Sequence, residues 1–415
     1  MQKNGIKRLP LALAMAALCA TAGSGAAPAA GENARWIATW GAAPDSDGPA
    51  LQRQTVRQVL RISVGGDQLR LRLSNAYGKG PLVIGPVHVA RSSGGATTEA
   101  LTDHVVLFNG HATVTVPKGG DALSDVVNFA VAPLDQLAVS LYVPQTHGPS
   151  TVHSDARHDS FLVQGVDAGA SRTLAHPRKV ASRYFLSEVQ VKPRSGGHAL
   201  VVVGDSITDG DQSTPGANAR WTDALASRLH MDPALADVAV VNAGISGNRL
   251  LNPGPVGESM LARFGRDALA REGVTWILIE GGLNDIGLAD DFPGPGTHAT
   301  AEDVIAGLKQ LVAQARAKGI AVWGATCVPY GGAQQPLRHT PVAEEKRLAV
   351  NAWIRAPGNF DRVVDFDAAV RDPDQPGRLR PAFDSGDHVH PNDTGYRMLA
   401  AAVPLAFFSE TPARP

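Results

Sequence analysis

The sequence predicts an α/β fold, a doubly wound parallel sheet, preceded by an antiparallel β-sandwich. Two contrasting patterns of hydrophobicity support this prediction. In the first half of the chain, short segments such as residues 69–74 and 137–143 alternate apolar and polar side chains, which is typical of half-buried antiparallel strands. In the second half, uninterrupted aliphatic runs alternate with helical patterns, which indicates a parallel sheet with helices on both faces.

A chain of 415 residues is too long for one core, because domains commonly hold about 100 to 200 residues. We expect a signal peptide in residues 1–30, a β-sandwich of jelly-roll-like character in residues 31–192, and the α/β domain in residues 193–415. The N-terminus carries three positive charges, an apolar stretch and then small residues, which is the pattern of a secretory signal with an approximate cleavage site. The protein is therefore expected to be exported, to the periplasm or the extracellular medium.

Turn-forming residues divide the β part of the chain. The sequence Gly-Gly-Asp at residues 65–67 is expected to join two strands. Between about residues 52 and 191 no segment has a convincing helical pattern. A polar segment that contains proline and glycine, residues 192–197, marks the predicted boundary with the α/β part.

The α/β part contains five aliphatic runs that are candidate strands. They are residues 200–203, 238–241, 276–279, 321–325 and 363–366. Two of the intervening helices have clear start signals. Thr300, with Asp303 three residues later, forms a capping box, and Thr340 precedes a proline at the first helical position. We expect right-handed crossovers to place the first three strands next to each other.

A serine directly follows the first aliphatic run. The run ends in Gly204 and Asp205, so Ser206 stands beyond the carboxyl end of a strand, where ligands collect in open α/β sheets. Ser206 is therefore a candidate nucleophile. An ordinary strand-to-helix turn, in which Asp205 and Ser206 cap the next helix, explains this segment equally well when it is considered alone.

A histidine and an aspartate near the end of the chain supply what a serine nucleophile needs. A serine hydroxyl is a weak nucleophile until a base takes its proton, and histidine suits that task near neutral pH. His390 is the candidate base and acid. Asp387, three residues earlier, is close enough to orient the imidazole. The neighbouring His388 is expected to be an ordinary solvated or packed histidine.

Two further strand ends carry groups that can stabilise the negative charge of a tetrahedral intermediate. Gly244 ends one aliphatic segment and Asn284 follows another. The N–H of Gly244, the side-chain NH2 of Asn284 and the N–H of Ser206 would form an oxyanion hole. Alternatively, Gly244 makes a tight turn and Asn284 an Asx-turn. The presence of all four residue types at strand ends or in the terminal loop favours the functional interpretation.

These residues lie in four ordered blocks, which are GDSIT (204–208), NAGISGN (242–248), GGLNDIG (281–287) and DHVHPN (387–392). Together they resemble the SGNH (GDSL-type) hydrolase family over roughly residues 198–407. The first block has isoleucine where the family often has leucine, which is a conservative difference. The G-x-S-x-G pattern of the other large serine-esterase fold is absent from the sequence.

The resemblance implies an SGNH-hydrolase-like catalytic domain, with a flavodoxin-like doubly wound sheet, that cleaves carboxylic esters through a serine acyl-enzyme. It implies Ser206 as nucleophile, His390 as base and acid, and Asp387 as the residue that orients His390. It also implies that Ser206, Gly244 and Asn284 surround the oxyanion. The expected enzyme is therefore a serine esterase that acts on a small-molecule or polysaccharide ester.

Composition argues against several other classes of protein. The formal net charge is −1 at pH 7 and becomes −4 when the three positive charges of the signal are removed, so nucleic acid is not an expected partner. No segment approaches about 18 uninterrupted apolar residues, so no membrane span is expected. No side chains show metal-ligand spacing, so neither a metal nor another cofactor is expected. Only Cys327 remains after signal cleavage, which excludes an internal disulfide.

Three functions are compatible with the sequence. The first is a secreted esterase that deacetylates a carbohydrate, which export and an accompanying β-sandwich favour by association. The second is a broad-specificity short-chain lipid or aryl esterase that uses the same residues. The third is a glycan-binding protein with a vestigial hydrolase domain, although such a domain should have lost at least one site residue.

Aromatic residues give little help with the substrate. Trp40, Trp221 and Tyr330 could stack on a sugar, although packing in the core or at its rim is the simpler expectation. The sequence leaves the acyl chain, the alcohol and the oligomeric state open.

Overall fold

A computed structural model of the protein describes residues 1–2, 35–254, 256–288, 299–333 and 337–409. Apart from its first two residues, the predicted signal peptide lies outside the described residues, as does its cleavage site. No helix within the described ranges is long and apolar enough to cross a membrane. An antiparallel β region is followed by an α/β region with a parallel sheet, which confirms the predicted fold class.

The β region contains sixteen strands in the part of the chain that the structure describes. They are β1 (Ile37–Gly41), β2 (Ser46–Gly48), β3 (Gln52–Arg61), β4 (Gln68–Ser74), β5 (Leu82–Ile84), β6 (Val87–Gly94), β7 (Thr97–Thr98), β8 (His104–Val106), β9 (Val114–Val116), β10 (Asp121–Leu123), β11 (Gln136–Gln145), β12 (Ser150–His153), β13 (Ser160–Gln164), β14 (Arg178–Val180), β15 (Arg183–Tyr184) and β16 (Leu186–Lys192). Their pairings are antiparallel, as the alternating patterns predict.

Two larger sheets contribute to one hydrophobic core. One has the strand order β1-β16-β4-β10, and the other has the order β14-β13-β3-β11-β6-β7, with β8 also paired to β6. In β4, Leu69, Leu71 and Leu73 are fully buried while the residues between them are partly exposed, because successive side chains of a strand point to opposite faces. The predicted jelly-roll-like character of this region stays a prediction.

The α/β region is built on five parallel strands. They are β17 (His198–Gly204), β18 (Val238–Gly244), β19 (Val274–Ile279), β20 (Ala321–Ala325) and β21 (Arg362–Val364). Their order in the sheet is β18-β17-β19-β20-β21, which is the order of a flavodoxin-like, doubly wound sheet. The strand β17 therefore lies between β18 and β19, so the three strands that precede the candidate residues are neighbours, as predicted.

Eight α-helices accompany this sheet in the described residues. They are α1 (Ser206–Asp209), α2 (Trp221–Met231), α3 (Met260–Phe264), α4 (Leu283–Gly287), α5 (Ala301–Arg316), α6 (Pro341–Arg355), α7 (Phe366–Val370) and α8 (Asp393–Ala402), with a π-helical turn at Gly265–Leu269 and a 3-10 turn at Leu405–Phe408.

The predicted helix starts are confirmed by their caps. At the start of α5, the Asp303 N–H donates to Thr300 Oγ1 at 3.1 Å. At the start of α6, the Ala343 N–H donates to Thr340 Oγ1, also at 3.1 Å. Each hydroxyl satisfies a backbone N–H that has no partner within its own helix.

The boundary of the last strand differs from the prediction. Residues 363–366 were expected to be extended, but β21 ends at Val364. The Asp365 side chain caps α7 by accepting the Ala368 N–H at 3.1 Å. The chain therefore turns into a helix two residues earlier than its hydrophobicity indicates, because a capping aspartate interrupts the aliphatic run.

The two regions meet along an extensive seam. The strand β1 pairs with β16 of the β region and packs against β18 of the parallel sheet. Across the seam, the Ala38 N–H donates to the Glu272 carbonyl at 2.8 Å, and the Val240 N–H donates to Ser63 Oγ at 3.1 Å. One continuous set of buried apolar side chains spans both regions. The β region is therefore part of the support of the parallel sheet.

Candidate active site

The chain turns sharply from β17 into α1 and presents Ser206 at the first position of the helix. Glycine is needed at residue 204, because a Cβ there would lie 2.1 Å from Thr208 Oγ1. The Asp205 side chain caps α1 by accepting the Ile207 N–H at 3.0 Å. Ser206 keeps 8% of its surface exposed, at the carboxyl edge of the sheet.

A chain of hydrogen bonds joins Ser206 to the predicted histidine and aspartate. Ser206 Oγ and His390 Nε2 lie 2.8 Å apart, and His390 Nδ1 and Asp387 Oδ2 lie 2.6 Å apart. The other carboxylate oxygen of Asp387 accepts the backbone N–H groups of Val389, at 2.9 Å, and His390, at 2.8 Å. These bonds point Nε2 of the imidazole at the serine. The structure thus brings together three predicted residues from opposite ends of the α/β region.

Charges around His390 favour its protonated form. Burial lowers the pKa of His390, but the hydrogen bond with Asp387 and the charge of Asp211 outweigh burial, so the pKa is raised above its ordinary value of 6.5. Asp211 Oδ2 lies 3.8 Å from His390 Nε2. Burial also raises the pKa of Asp387, but the hydrogen bond and charge of His390 outweigh it and lower that pKa well below 3.8. Asp387 is therefore ionised and can stabilise an imidazolium.

Two of the predicted oxyanion donors have an N–H group without an acceptor in the described residues. Asn284 lies in α4, shortly after β19, and its Nδ2 donates to the Asn248 carbonyl at 2.9 Å, which leaves the second N–H of the amide. The Ser206 N–H, in the first turn of α1, has no acceptor within the described ranges. Both groups therefore meet the first requirement of an oxyanion donor.

The prediction that Gly244 is an oxyanion donor is wrong. Its N–H donates to Asn242 Oδ1 at 2.8 Å, so this group already has an acceptor. A Cβ at residue 244 would lie 2.3 Å from the Asp209 nitrogen, because α1 packs directly on this end of β18. Gly244 therefore serves the close packing of β18 against α1.

The turn that follows β18 offers a different N–H. In residues 245–248, the Asn248 N–H donates to the Ile245 carbonyl at 3.1 Å, and Gly247 has a φ of 74°, a conformation that favours glycine. The Gly247 N–H has no acceptor in the part of the chain that the structure describes. The turn lies beside Asn284, which donates to its last residue. Gly247 lies in the same sequence block as Gly244, so the block itself was the signal in the sequence that could have indicated Gly247 as a donor.

A buried ion pair between the β region and α1 stabilises this turn. Asp209 ends α1, and its Oδ2 accepts both the N–H and the Oγ of Ser246 at 3.0 Å. Its Oδ1 lies 3.1 Å from Nε2 of His153. Burial lowers the pKa of His153, but the charges of Asp209 and Asp45 outweigh burial and raise it to about 9. Sequence reasoning missed this pair because the partners belong to different regions and lie in no shared motif.

Other predictions concern sugar stacking and metals. Trp40, Trp221 and Tyr330 are 7%, 0% and 0% exposed, so the simpler expectation of core packing holds for all three. Within the described ranges, no group of three or more His, Cys, Asp or Glu side chains is arranged to hold a metal ion.

Fold and site together define a class of protein. A hydroxyl, an imidazole and a carboxylate joined by hydrogen bonds are the arrangement that serine hydrolases use, here at the carboxyl edge of a doubly wound sheet. Residues 202–398 match the model of the GDSL-like lipase/acylhydrolase family. The α/β region belongs to that family, and the chain is an ester hydrolase. The resemblance that the four sequence blocks indicate is thereby confirmed.

Solved structures resemble about half of this chain. An acetylxylan esterase from Geobacillus stearothermophilus is 25% identical over 50% of this chain and 92% of its own, with a TM-score of 0.38. An α/β hydrolase enzyme from the metagenome of Lake Arreo, Spain, is 22% identical over 50% and 93%, also with a TM-score of 0.38. A GDSL-like lipase from Bacteroides thetaiotaomicron is 22% identical over 51% and 88%, with a TM-score of 0.37. No curated protein matches the chain.

Proposed function

We propose that this ester hydrolase is a serine esterase in which Ser206 attacks the ester carbonyl, His390 transfers the proton and Asp387 orients His390. The observation that carries the proposal is the hydrogen-bonded chain through these residues, with distances of 2.8 and 2.6 Å. A serine without such a base is a weak nucleophile. The ionised state of Asp387 supports its role, because the imidazolium that forms during catalysis needs a nearby negative charge.

The reaction has two halves. Ser206 Oγ bonds to the carbonyl carbon while its proton passes to His390 Nε2, and the carbonyl oxygen becomes an oxyanion. When the carbonyl reforms, the bond to the leaving alcohol breaks and His390 returns the proton to the alcohol oxygen, which leaves an acyl-enzyme. Water then attacks the acyl-enzyme with His390 as base, so that the carboxylic acid is released and the Ser206 hydroxyl is restored.

The proposed oxyanion donors are the N–H groups of Ser206 and Gly247 and the second amide N–H of Asn284. Support comes from their lack of other acceptors in the described residues. Two carboxylates fix the backbone around these donors before a substrate binds. Asp205 caps the helix that begins with Ser206, and Asp209 accepts the N–H of Ser246, next to Gly247. Donors that need no reorganisation stabilise the developing charge most effectively.

The proposed substrate is an acetyl ester of a carbohydrate. Ser206 exposes only 8% of its surface, which favours a small acyl group over a long chain. The predicted export would bring the enzyme to polysaccharides outside the cell. The β region contacts α1 through His153 and Asp209, so it is near enough to the nucleophile to shape the path of a large substrate.

A broad-specificity short-chain lipid or aryl esterase is the alternative. The burial of Trp40, Trp221 and Tyr330 favours it, because none of these rings can stack on a sugar. Acetate release from acetylated polysaccharides, compared with hydrolysis of aryl acetates and aryl butyrates, separates the two. A carbohydrate deacetylase should prefer the polymer, whereas a broad esterase should prefer the aryl esters.

The nucleophile is tested with the variant Ser206→Ala. We expect it to lose essentially all activity on p-nitrophenyl acetate and to unfold at nearly the wild-type temperature, because only the attacking oxygen is removed. A phosphonate reagent should add mass at Ser206 of the wild type. The control Ser409→Ala, which alters an exposed local hydrogen bond, should stay active. Full activity of Ser206→Ala would refute the mechanism, and a wild type that binds glycans but cleaves no ester would be a binding protein.

We also propose that the protein is exported through cleavage of a signal within residues 1–30. The N-terminal charge and hydrophobicity pattern supports this proposal. Expression of the full chain in a bacterium, followed by fractionation and intact mass measurement, tests it. A cytoplasmic protein that retains these residues would contradict it.

A further inference from the structure

The seam between the β region and the α/β region holds a cleft rich in arginine. Its lining includes the guanidinium groups of Arg61, Arg157, Arg183 and Arg220, together with one carboxylate, Asp223. We call this space the arginine cleft. Positive charges of this number repel one another unless negative charges compensate them.

Arg183 is the side chain in the arginine cleft whose burial most requires a compensating acceptor. It is only 3% exposed, and its guanidinium lies over the ring of Trp40 at 5.1 Å from the centroid. Its Nη1 is buried without a hydrogen-bond partner, and the residue forms no ion pair within the described part of the chain. Burial and the charge of Arg220 outweigh the opposing charge of Asp223 and lower the pKa of Arg183 to about 9. A buried cation without an acceptor is unfavourable, so an acceptor is expected here.

Further donors in the arginine cleft also lack acceptors. Nε of Arg220, Nε of Arg157 and Oγ of Ser213 are buried without partners within the described ranges. The carboxylate of Asp223 does not accept from them, since in the described residues its side chain accepts only the backbone N–H of Arg220, at 3.3 Å. His158 also lines the arginine cleft, and its two ring nitrogens are likewise buried without partners within these ranges. Arg157 is compensated by Asp155 at 3.2 Å, whereas Arg183 and Arg220 form no ion pair in the described part of the chain.

We propose that the arginine cleft binds a compact monovalent anion of the halide class, with Arg183, Arg220 and Ser213 as donors. The space between the lining residues is about the size of one water molecule. A chloride ion is of similar size, whereas a phosphate or a carboxylate attached to a sugar is too large to reach Arg183. The anion would accept the unpartnered N–H and O–H groups and offset the repulsion between the two guanidinium groups.

Two ion pairs connect the arginine cleft to His390, the proposed catalytic base. Nη1 of Arg157 lies 3.7 Å from Asp211 Oδ1, and the same guanidinium donates from Nη2 to the Ser213 carbonyl. Asp211 Oδ2 in turn lies 3.8 Å from His390 Nε2. An anion bound in the arginine cleft would therefore act on the loop between α1 and α2, which contains both Asp211 and Ser213.

Chloride-35 NMR of the full chain tests the proposal, because chloride that exchanges with a protein site relaxes rapidly and broadens the bulk line. We expect wild-type protein to broaden the line in proportion to its concentration and bromide to reverse the broadening by competition. In Arg183→Gln most of the bromide-sensitive broadening should be lost. The control Arg194→Gln, whose arginine side chain is 81% exposed, should behave as wild type.

Bromide soaked into crystals of the wild type provides a measurement that does not depend on the folding of a variant. An anomalous peak beside the Arg183 guanidinium is the expected result. If Arg183→Gln does not fold, Ser213→Ala replaces it in the NMR experiment. Equal bromide-sensitive broadening in wild type and variant, or wild-type crystals without an anomalous peak at Arg183, overturns the proposal. Competition by acetate but not by bromide overturns it as well.

Discussion

His153 of the β region and Asp209 of the α/β region form a buried ion pair across the seam, with His153 Nε2 3.1 Å from Asp209 Oδ1. The residues are only 6% and 3% exposed. Asp209 stands three residues after Ser206 and accepts two hydrogen bonds from Ser246, the neighbour of Gly247. A single imidazolium thus connects the β region to the turn that we propose as part of the oxyanion hole.

Replacement of this histidine should destabilise the protein strongly. In His153→Gln the neutral amide removes the cation that is hydrogen-bonded to the buried Asp209, and breaking a buried pair in this way costs about 3 to 5 kcal/mol of unfolding free energy. Urea unfolding at pH 7 measures the loss. The control His88→Gln breaks a pair with Asp103 whose side chains are 10% and 35% exposed, so about 0 to 1 kcal/mol is expected. Equal losses in the two variants would mean that the seam pair is not special.

The same pair predicts a pH dependence of stability. The folded pKa of His153 is raised to about 9 from 6.5, so its contribution is complete below 6.5 and disappears as the pH rises through about 9. Asp45 and Arg220 also act on His153, and their effect is included in this value. Between these limits the wild type should lose roughly 3 kcal/mol more than His153→Gln. Parallel stability curves for the two proteins would contradict this account.

Loss of the Asn284 amide should affect the chemical step. We expect Asn284→Ala to lower kcat by about 10²- to 10³-fold with little change in KM, because a preorganised donor acts mainly in the transition state. Steady-state kinetics with p-nitrophenyl acetate measures both constants. Asn359→Ala, which removes a hydrogen bond to the Trp353 carbonyl at the end of α6, is the control and should keep kcat. An effect on KM alone would assign Asn284 to ground-state binding.

A methyl group at Gly244 should damage the fold. Gly244→Ala keeps the backbone N–H but places a Cβ 2.3 Å from the Asp209 nitrogen, so β18 and α1 must separate and overpacking costs about 1 to 3 kcal/mol. The melting temperature should fall clearly. Gly265→Ala is the matched control, since nothing lies within 4 Å of its added Cβ and its φ is −56°. A Gly244→Ala protein as stable as Gly265→Ala would show that this packing is not tight.

The pH profile of activity should respond to Asp211. The raised pKa of His390 places the rise of kcat/KM with pH at a midpoint above 6.5, since the base must lose its proton. In Asp211→Asn the midpoint should shift to lower pH, because a negative charge 3.8 Å from Nε2 is removed. Asp232→Asn, at the end of α2, should leave the midpoint unchanged. An unshifted profile for Asp211→Asn would exclude this charge as a cause.

Much of the candidate site follows from local sequence. Ser206 and Asn284 follow aliphatic runs by a few residues, and parallel strands bring such residues to one edge of a sheet. His390 and Asp387 are three residues apart, so their contact is a local property of one loop. The prediction for Gly244 failed because the sequence does not reveal that the Gly244 N–H donates to the side-chain oxygen of Asn242.

By itself, then, the sequence determined the fold class, the helix caps and the residue types at the strand ends, because periodicity and capping depend on neighbours within a few positions. Only the tertiary structure decided which N–H groups remain without acceptors in the described residues, that His153 is paired with Asp209, and that Nη1 of Arg183 is buried without a hydrogen-bond partner. These properties depend on atoms that distant parts of the chain bring together. Whether a buried polar group finds a hydrogen-bond partner depends on these long-range contacts, so no local sequence pattern predicts it.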